Sequence, residues 1–230
     1  MSEKLELTVL AHIYNDYQAK FGVPRQSGLV DEVISTIVFE PEFRREEAFR
    51  GLEGFSHLWL LWHFSESHKD GWSATVRPPR LGGNRRVGVF ASRSPFRPNP
   101  IGLSCVRLVE IKQDKALGPV LLVSGADLLN GTPIFDVKPY VPYADAHPEA
   151  LGGFAVPHDG HLLAVDFAPA LLASIPEDKQ EALLAVLAQD PRPSYQNDAE
   201  RVYGLSFGGF DVRFTVADDK LTVVQVLPLK

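Results

Sequence analysis

Short apolar segments rich in β-branched residues fill the first two thirds of the chain, and Gly or Pro residues separate them. This pattern is typical of β-strands bounded by turns. Because the segments follow one another closely, with no alternating helices, we expect a mainly β domain built as a barrel or a sandwich. The predicted strands cover residues 5–14, 33–39, 57–64, 87–92, 103–111 and 120–124.

One helix is predicted to interrupt these strands, over residues 41–50. Pro41 would begin it, acidic residues follow in its first turns, and Gly51 stands just beyond its end. Proline and negative charge are favoured where helices begin, and glycine is favoured where they end.

The last third of the chain predicts a smaller unit that combines helix and strand. Ser174 and Glu177 have the spacing of a capping box, so we expect a helix from there to about Gln189. Hydrophobic residues alternate over residues 210–216 as in a half-buried strand, and Asp218-Asp219 would then turn the chain back.

Gly and Pro among small residues indicate a linker before this unit. We therefore expect a main β domain at 1–145, a linker at 146–160 and a small α+β domain at 161–230.

The charge is distributed unevenly along the chain. Residues 75–100 carry six arginines and no acidic residue, although the whole chain has a formal net charge of −6. Such a basic segment in an acidic protein favours a polyanion or an anionic small molecule as partner. The single cysteine, Cys105, excludes an intrachain disulfide framework. Because no signal peptide or membrane-spanning apolar run is found, we expect a cytoplasmic protein without membrane contact.

Two further segments hold candidates for ligand binding. In the first, Pro24 fixes the backbone and Arg25 offers a planar fork to a carboxylate. In the second, Asn130-Gly131 is a strong turn signal whose backbone groups could face a ligand. A surface loop and a plain hairpin remain open as alternatives. A Walker loop and a dinucleotide fingerprint are absent, and no metal site is expected.

Together these segments resemble, in order and spacing, the TrmO family of tRNA methyltransferases. The string Phe96-Arg97-Pro98-Asn99-Pro100-Ile101-Gly102 is the most specific match. The resemblance also covers Pro24-Arg25-Gln26 and residues 51–59, 75–83, 93–102, 127–140 and 189–195. It implies a homodimeric β-barrel methyltransferase domain that uses S-adenosylmethionine. The implied reaction converts threonylcarbamoyladenosine (t6A) at position 37 of tRNA into its N6-methyl derivative, m6t6A.

The resemblance also implies which residues bind the cofactor. These are Pro24, Arg25, Gln26, Ser65, Glu66, Arg93, Leu103, Leu128, Leu129, Asn130, Gly131 and Thr132. Two of these places depart from the family's pattern, because Asn130 stands where an acid is expected and Ser65-Glu66 stands where a His-polar pair is frequent.

The remaining candidates concern the tRNA and the reaction. Arg77, Arg80, Arg85, Arg86, Phe96, Arg97 and Arg192 are expected to bind the anticodon stem-loop, the arginines chiefly through phosphates. Asp136, Lys138 and Tyr140 are the expected catalytic residues. Asp136 would help to remove the N6 proton, Lys138 or Arg97 would pair with the threonine carboxylate, and Phe96 or Tyr140 would stack on the base.

Two other functions fit the same residues. A non-catalytic RNA-binding barrel, such as a regulator, shares the basic loops but needs no cofactor. An enzyme of the same architecture that acts on a small anionic metabolite would use the arginines for one phosphate.

Overall fold

The computed structural model of the protein describes residues 4–67, 71–78, 81, 84–155, 160–192 and 198–229. Strands are the main element of these residues, which confirms the mainly β class. They are β1 Ala11–Tyr14, β2 Ile34–Phe39, β3 His57–His63, β4 Thr75–Val76, β5 Val87–Gly88, β6 Ile101–Asp114, β7 Gly118–Ser124, β8 Pro133–Pro139, β9 Ala164–Asp166, β10 Tyr203–Phe207, β11 Phe210–Ala217 and β12 Lys220–Pro228. The α-helices are α1 Pro142–Asp145, α2 Pro169–Leu172 and α3 Glu177–Ala188.

Six strands form a closed antiparallel barrel in the order β1-β2-β7-β6-β3-β8, and β8 pairs back with β1. Closure leaves no edge strand in this sheet, so its backbone groups are paired around the whole circumference. At one end of the barrel, β1 and β3 finish while β2 and β8 begin. We call this the loop end, because the long connections 15–33, 64–100 and 125–132 meet there.

Alternate side chains of the barrel strands point inwards. Along β3, Leu58, Leu60 and Trp62 are buried, whereas the residues between them are partly exposed. This strict alternation places one face of each strand in the core and the other outside. The interior is completed by Ala11, Ile13, Ile37, Phe39, Phe49, Val106, Leu121, Val123, Ala126, Leu128 and Ile134.

The helix predicted over residues 41–50 is wrong. Two 3-10 turns, Pro41–Phe43 and Glu46–Phe49, stand in its place. Between them, the Arg44 side chain donates a hydrogen bond from Nε to the Phe39 carbonyl at 2.7 Å. Phe49 packs edge-on against Phe39, with ring centroids 4.9 Å apart. A helix this short is marginal in water, so the burial of Phe49 at the end opposite the loops decides the local structure.

Two predicted strands are shorter than expected. The strand predicted over 87–92 stops at Gly88, and a 3-10 turn over Val89–Ala91 follows, in which Val89 is buried. The strand predicted from residue 5 begins only at Ala11, and Leu5 and Leu7 remain exposed.

The tail forms a four-stranded sheet, ordered β10-β11-β12-β9, which packs against α3. The predicted alternation in β11 is found, with Val212, Phe214 and Val216 buried. The predicted capping box is wrong. α3 begins after Pro176, and the Ser174 hydroxyl instead donates to the Leu171 carbonyl at 2.6 Å.

The loop over residues 15–33 belongs to the barrel side of the chain but packs into the core of the tail. Tyr17, Val30 and Val33 are buried among the tail's hydrophobic residues. Polar contacts add to this packing, because Lys179 Nζ lies 2.5 Å from Asp16 Oδ1 and the Gln189 amide donates to the Leu29 carbonyl at 2.8 Å. Movement of the tail would therefore disturb this loop. Within the described residues, no helix has the length and apolar character needed to cross a membrane.

Candidate active site at the loop end of the barrel

Three segments that the sequence marks as cofactor-binding meet at the loop end. They are the Pro24-Arg25-Gln26 loop, Arg93 and the turn over residues 128–132. Arg93 is bonded to the first of these segments, because its Nη1 donates to Gln26 Oε1 at 2.6 Å. Both side chains are exposed, so this pair stands at the surface of the site.

The end of β1 and the first residues of the 15–33 loop hold the turn over residues 128–132 in place. The backbone N–H groups of Asn130 and Gly131 donate to the carbonyls of Tyr17 and Ile13 at 2.9 and 2.7 Å. Asn130 Oδ1 accepts the Asn15 backbone N–H at 3.0 Å. Gly131 has a φ of +80°, a conformation that strains other residues. Both sides of the turn are thus fixed in place.

A partly buried carboxylate lies just before this turn. Asp127 Oδ1 accepts a 2.5 Å hydrogen bond from the Ser104 hydroxyl, which in turn accepts one from Trp62 Nε1 at 2.9 Å. The Ser27 backbone N–H also hydrogen-bonds the Asp127 carboxylate, and the Arg93 charge acts on it. Asp127 therefore connects the same three segments from beneath.

Burial raises the pKa of the Asp127 carboxyl above its ordinary value, while the Ser104 hydrogen bond and the Arg93 charge act in the opposite direction. Near it, the Tyr17 hydroxyl is buried and has no hydrogen-bond partner among the described residues. Burial, and next the charge of Asp127, raise the pKa of Tyr17. An orphaned hydroxyl near an anionic group fits a polar, cation-bearing ligand at this end of the barrel.

The Ser65-Glu66 pair lies beside the 15–33 loop. The Lys20 ammonium donates to the Glu66 carbonyl, and the Ser65 N–H donates to the His63 carbonyl at 2.8 Å. The chain that carries the pair therefore also reaches the loop end.

Leu103 and the expected catalytic residues lie elsewhere on the barrel. Strand register places Leu103, Leu61 and Asp136 in one row and Cys105, Trp59 and Lys138 in the next. Leu103, Asp136 and Lys138 share the outer face of β6, β3 and β8, which we call the outer face. Ser104 points to the opposite side of β6, towards Asp127.

Along this outer face, Asp136 and Lys138 form an ion pair at 2.9 Å. Tyr140 lies beyond them, where its N–H donates to the His57 carbonyl at the start of β3. Eight residues of strand span about 27 Å, so Tyr140 and Thr132 stand at opposite ends of the barrel. Within one chain Tyr140 is therefore far from the segments expected to bind cofactor, while Asp136 and Lys138 face the outer side of the barrel, and the roles of all three stay predictions.

The basic segment borders the loop end. Arg77 and Arg85 are exposed, and Arg86 Nη1 donates to the Thr75 hydroxyl at 2.8 Å. Arg97 Nη1 donates to the Ser92 carbonyl at 3.1 Å, so part of its guanidinium supports the backbone. Phe96 is partly buried rather than presented as an open platform. Arg80 lies outside the described residues.

Arg192, which is expected to bind RNA, is largely buried in the structure. It is only 9% exposed, and its guanidinium makes two hydrogen bonds to Asp190, at 2.8 and 2.9 Å. This pairing raises the pKa of Arg192 and engages the Nε and Nη2 edge of its guanidinium. The Arg192 carbonyl accepts a hydrogen bond from Arg25 Nη2 at 2.9 Å. The Arg192 backbone therefore supports the 15–33 loop, and its RNA contact stays a prediction.

Sequence reasoning gave no role to Asp127, Ser104 or Trp62. In the sequence, only the position of Asp127 directly before the turn pointed to it. Its donor Ser104 lies on β6, and Trp62, which donates to Ser104, lies on β3, and both are distant from Asp127 in the chain. Among the described residues, no three His, Cys, Asp or Glu side chains converge as a metal site would require.

The structure defines a closed-barrel protein whose loop end gathers the polar residues expected to bind cofactor, followed by an α+β unit. Residues 12–146 match the tRNA-methyltransferase O N-terminal domain, and residues 161–229 match the TrmO C-terminal domain. The chain belongs to the TrmO family, as the resemblance in its sequence predicts.

Individual relatives agree with this assignment. The chain is 41% identical over 224 residues to the tRNA (adenine(37)-N6)-methyltransferase of Escherichia coli K12, covering 94% of this chain and 95% of that protein. It is 42% identical over 176 residues to the protein of the same name from Eikenella corrodens, covering 76% and 99%.

Solved structures give the same result. A TrmO crystal structure has a TM-score of 0.80 and 34% identity, covering 97% of this chain and 99% of the other. TrmO from Pseudomonas aeruginosa has a TM-score of 0.78 and 33% identity, covering 98% and 100%.

Proposed function

We propose that this protein is an S-adenosylmethionine-dependent tRNA methyltransferase that methylates N6 of adenine 37, with t6A as the substrate and m6t6A as the product. Family membership supports the reaction, since relatives similar over nearly their whole length are named for it. The observation that carries the proposal is the meeting of Gln26, Arg93 and Asp127 at the loop end, beside a segment dense in arginine.

The groups at the loop end fit the chemistry of the cofactor. S-adenosylmethionine supplies a methyl group on a positively charged sulfonium and carries an ammonium, a carboxylate and an adenine. Asp127 provides a fixed negative charge for the cationic part, and Arg25 or Arg93 provides a fork for the carboxylate. Asn130 and Gly131 are exposed at the tip of the 128–132 turn, which is where a purine edge would meet it, although their N–H groups are already bonded to Tyr17 and Ile13.

The protein's contribution to the reaction is chiefly positioning. The N6 lone pair of t6A is delocalised into the purine and the carbonyl, so it is a weak nucleophile. When bound, S-adenosylmethionine would supply the methyl group: a C–N bond would form at N6 as the methyl–sulfur bond broke to give S-adenosylhomocysteine, and the N6 proton would pass to a base of the protein. Holding N6 in line with the methyl group supplies most of the acceleration. Asp136 takes up the proton, and Lys138 pairs with the threonine carboxylate of the substrate.

A homodimer reconciles the two separated groups of residues. Leu103 and Ile101 are 52% and 37% exposed on the outer face, an apolar area that a second subunit would cover. If this face meets the loop end of a second copy, Asp136, Lys138 and Tyr140 of one subunit reach the cofactor-binding segments of the other. Leu103 then joins the second subunit's pocket as well.

The two parts of the chain then have distinct tasks. Residues 1–145 form the barrel domain that binds cofactor and carries out catalysis, and residues 161–230 form the small domain that assists tRNA binding, with 146–160 as linker. Arg77, Arg80, Arg85, Arg86 and Arg97 contact the anticodon stem-loop. The cytoplasm, where tRNA is modified, is the proposed location.

The direct test is methylation of defined RNA. Purified protein is incubated with S-adenosylmethionine and anticodon stem-loops that carry A37 or t6A37, and the digested nucleosides are examined by mass spectrometry. We expect m6t6A from the t6A substrate and little product from plain adenine. Calorimetric titration with S-adenosylmethionine is the companion measurement. RNA binding without cofactor binding or product would favour a non-catalytic regulator and refute the proposal.

A further inference from the structure

Two aromatic side chains lie next to each other on the protein surface, outside the residues considered so far. Trp72 is 54% exposed and Phe90 is 75% exposed. Their ring planes differ by 24°, and their centroids are 6.4 Å apart. Single exposed aromatic residues are common, but two nearly parallel rings form an apolar area that folding alone does not require.

The β4–β5 ladder places the two rings together. Thr75 pairs with Gly88, and the Val89 N–H donates to the Ala74 carbonyl at 3.0 Å, which extends the ladder towards both aromatic residues. Val89 is buried, so its neighbour Phe90 is directed outwards. Each ring is thus presented by backbone that is already hydrogen-bonded.

The surroundings of the two rings are strongly basic. Residues 71–100 contain six arginines and no acidic residue. Arg86 is bonded to Thr75 within the same ladder, and Arg77 and Arg85 are exposed in the segment between its strands. Aromatic rings bordered by arginines are the combination with which proteins hold unpaired nucleotides, because the rings stack on bases and the cations meet phosphates.

The rings also lie close to the candidate active site. Phe90 is three residues from Arg93, which donates to Gln26, and three residues of chain span at most about 11 Å. A nucleotide stacked on these rings would therefore be within one or two nucleotides of a base held at the loop end.

We propose that Trp72 and Phe90 form a stacking platform for one unstacked nucleobase of the tRNA anticodon loop. This inference rests on the proposed function, because it assumes that RNA is the partner of the basic segment. It differs from the sequence-based expectation, in which Phe96 or Tyr140 stacks on the base.

Trp72 offers a direct spectroscopic test, since a stacked base quenches indole emission. Of the other two tryptophans, Trp62 is buried and donates to Ser104, whereas Trp59 is partly exposed on the outer face and donates to Asp145, so the Trp72→Phe variant below is needed to assign the signal. An unmodified anticodon stem-loop is titrated into the full-length protein while emission and acrylamide quenching are recorded. We expect RNA to quench the emission and to protect the exposed indole from acrylamide. The Trp72→Phe variant should bind RNA within about threefold of wild type but lose both signals.

Affinity measurements provide the second test. Trp72→Ala and Phe90→Ala should each raise the Kd for the stem-loop about five- to one-hundred-fold, the range for loss of one stacked base. The dependence of Kd on salt should stay unchanged, because no charge is removed. Tyr143→Ala is the matched control, since Tyr143 is 92% exposed and lies outside the basic segment. That variant should bind as wild type does.

Three results would overturn the platform. The first is wild-type affinity in both alanine variants with unchanged emission on binding. The second is conversion of a wild-type dimer into a monomer by Trp72→Ala with Phe90→Ala in analytical ultracentrifugation, since the rings would then be a subunit contact. The third is no binding of RNA by the wild-type protein, which would also remove the proposed function. The first two leave methylation of tRNA intact, so the two failures can be distinguished.

Discussion

The Ser104 hydroxyl lies 2.5 Å from Asp127 Oδ1 and joins the inner face of strand β6 to the segment that begins the 128–132 turn. Ser104 is almost completely buried, and its oxygen also accepts the Trp62 indole N–H. A hydroxyl that both accepts and donates in this way fixes the orientation of the carboxylate. The barrel core thereby controls the position of the negative charge at the loop end.

Loss of the Asp127 charge should weaken cofactor binding. Asp127→Asn keeps the size of the side chain but removes the anion that faces the cationic cofactor. Charged hydrogen-bonding groups contribute about 1.5–3 kcal/mol, so we expect the Kd for S-adenosylmethionine to rise roughly 10- to 100-fold. Isothermal titration calorimetry checks this. Asp145→Asn is the control, because Asp145 likewise accepts a side-chain hydrogen bond, from the Trp59 indole, but lies away from the loop end of its own chain. Equal affinity in both variants would contradict the role of Asp127.

The same carboxyl should leave a signature in the pH dependence of stability. Its pKa is raised in the folded protein, chiefly by burial, so the folded state binds more protons than the unfolded chain between the ordinary and the raised pKa. The free energy of unfolding should therefore fall as pH rises through this window. Cofactor affinity should change in the opposite direction, because a cation prefers the ionised carboxylate. Urea unfolding and calorimetry at several pH values test both trends, and Asp127→Asn should remove both.

Crowding at Gly102 links barrel packing to this carboxylate. A Cβ on Gly102 would lie 2.2 Å from Trp62 Cε2, so Gly102→Ala must displace the indole that donates to Ser104. Overpacking of this kind costs about 1–3 kcal/mol of unfolding free energy, and we also expect weaker cofactor binding. Chemical denaturation and calorimetry measure the two effects. Gly54→Ala is the matched control, because an added Cβ there meets no atom within 4 Å. Unchanged cofactor affinity in Gly102→Ala would show that the position of Trp62 does not influence cofactor binding.

Local patterns predicted the individual strands well because burial on one face follows a period of two, as in β3 and β11. They did not by themselves distinguish a barrel from a sandwich. That distinction depends on the pairing of β1 with β8, which lie far apart in the chain. The helix predicted over 41–50 and the capping box predicted at Ser174 were wrong for separate reasons, whereas the helix predicted to about Gln189 is found as α3. Phe49 is drawn into the barrel end, and Pro176 separates Ser174 from the first turn of α3.

The candidate site was predictable only in part. The motifs around Gln26, Arg93 and Asn130 indicated segments of the loop end, since each contains residues of distinctive type in a fixed order. Asp127 could not be recognised as their connection, because its hydrogen-bond donor lies on another strand. Arg192 was mistaken for a surface cation, because its burial against Asp190 depends on the packing of the tail.

Arg192 should matter for stability more than for the electrostatics of RNA binding. Arg192→Ala removes a guanidinium that pairs with the partly exposed Asp190, and we expect a loss of about 1.5–3 kcal/mol of unfolding free energy. The slope of log Kd for tRNA against log salt should stay as in wild type. In Arg86→Ala, by contrast, one phosphate contact fewer should flatten the slope by about one unit. Denaturation and filter binding at several salt concentrations separate the two. If the Arg192→Ala variant is fully folded and its salt slope is nevertheless flattened, Arg192 contacts a phosphate.

Subunit complementation tests whether the two groups of site residues meet across a dimer. Arg93→Ala disables the loop end and Lys138→Ala disables the outer face, so each variant alone should be nearly inactive. If each site combines one group from each subunit, mixed dimers contain one intact site. Random mixing of equal amounts should then restore about a quarter of wild-type activity. Methyl transfer is measured after the variants are co-expressed, with two Arg93→Ala copies as the control. No recovery in dimers shown to be mixed would mean that both groups act within one chain, or that the outer face takes no part.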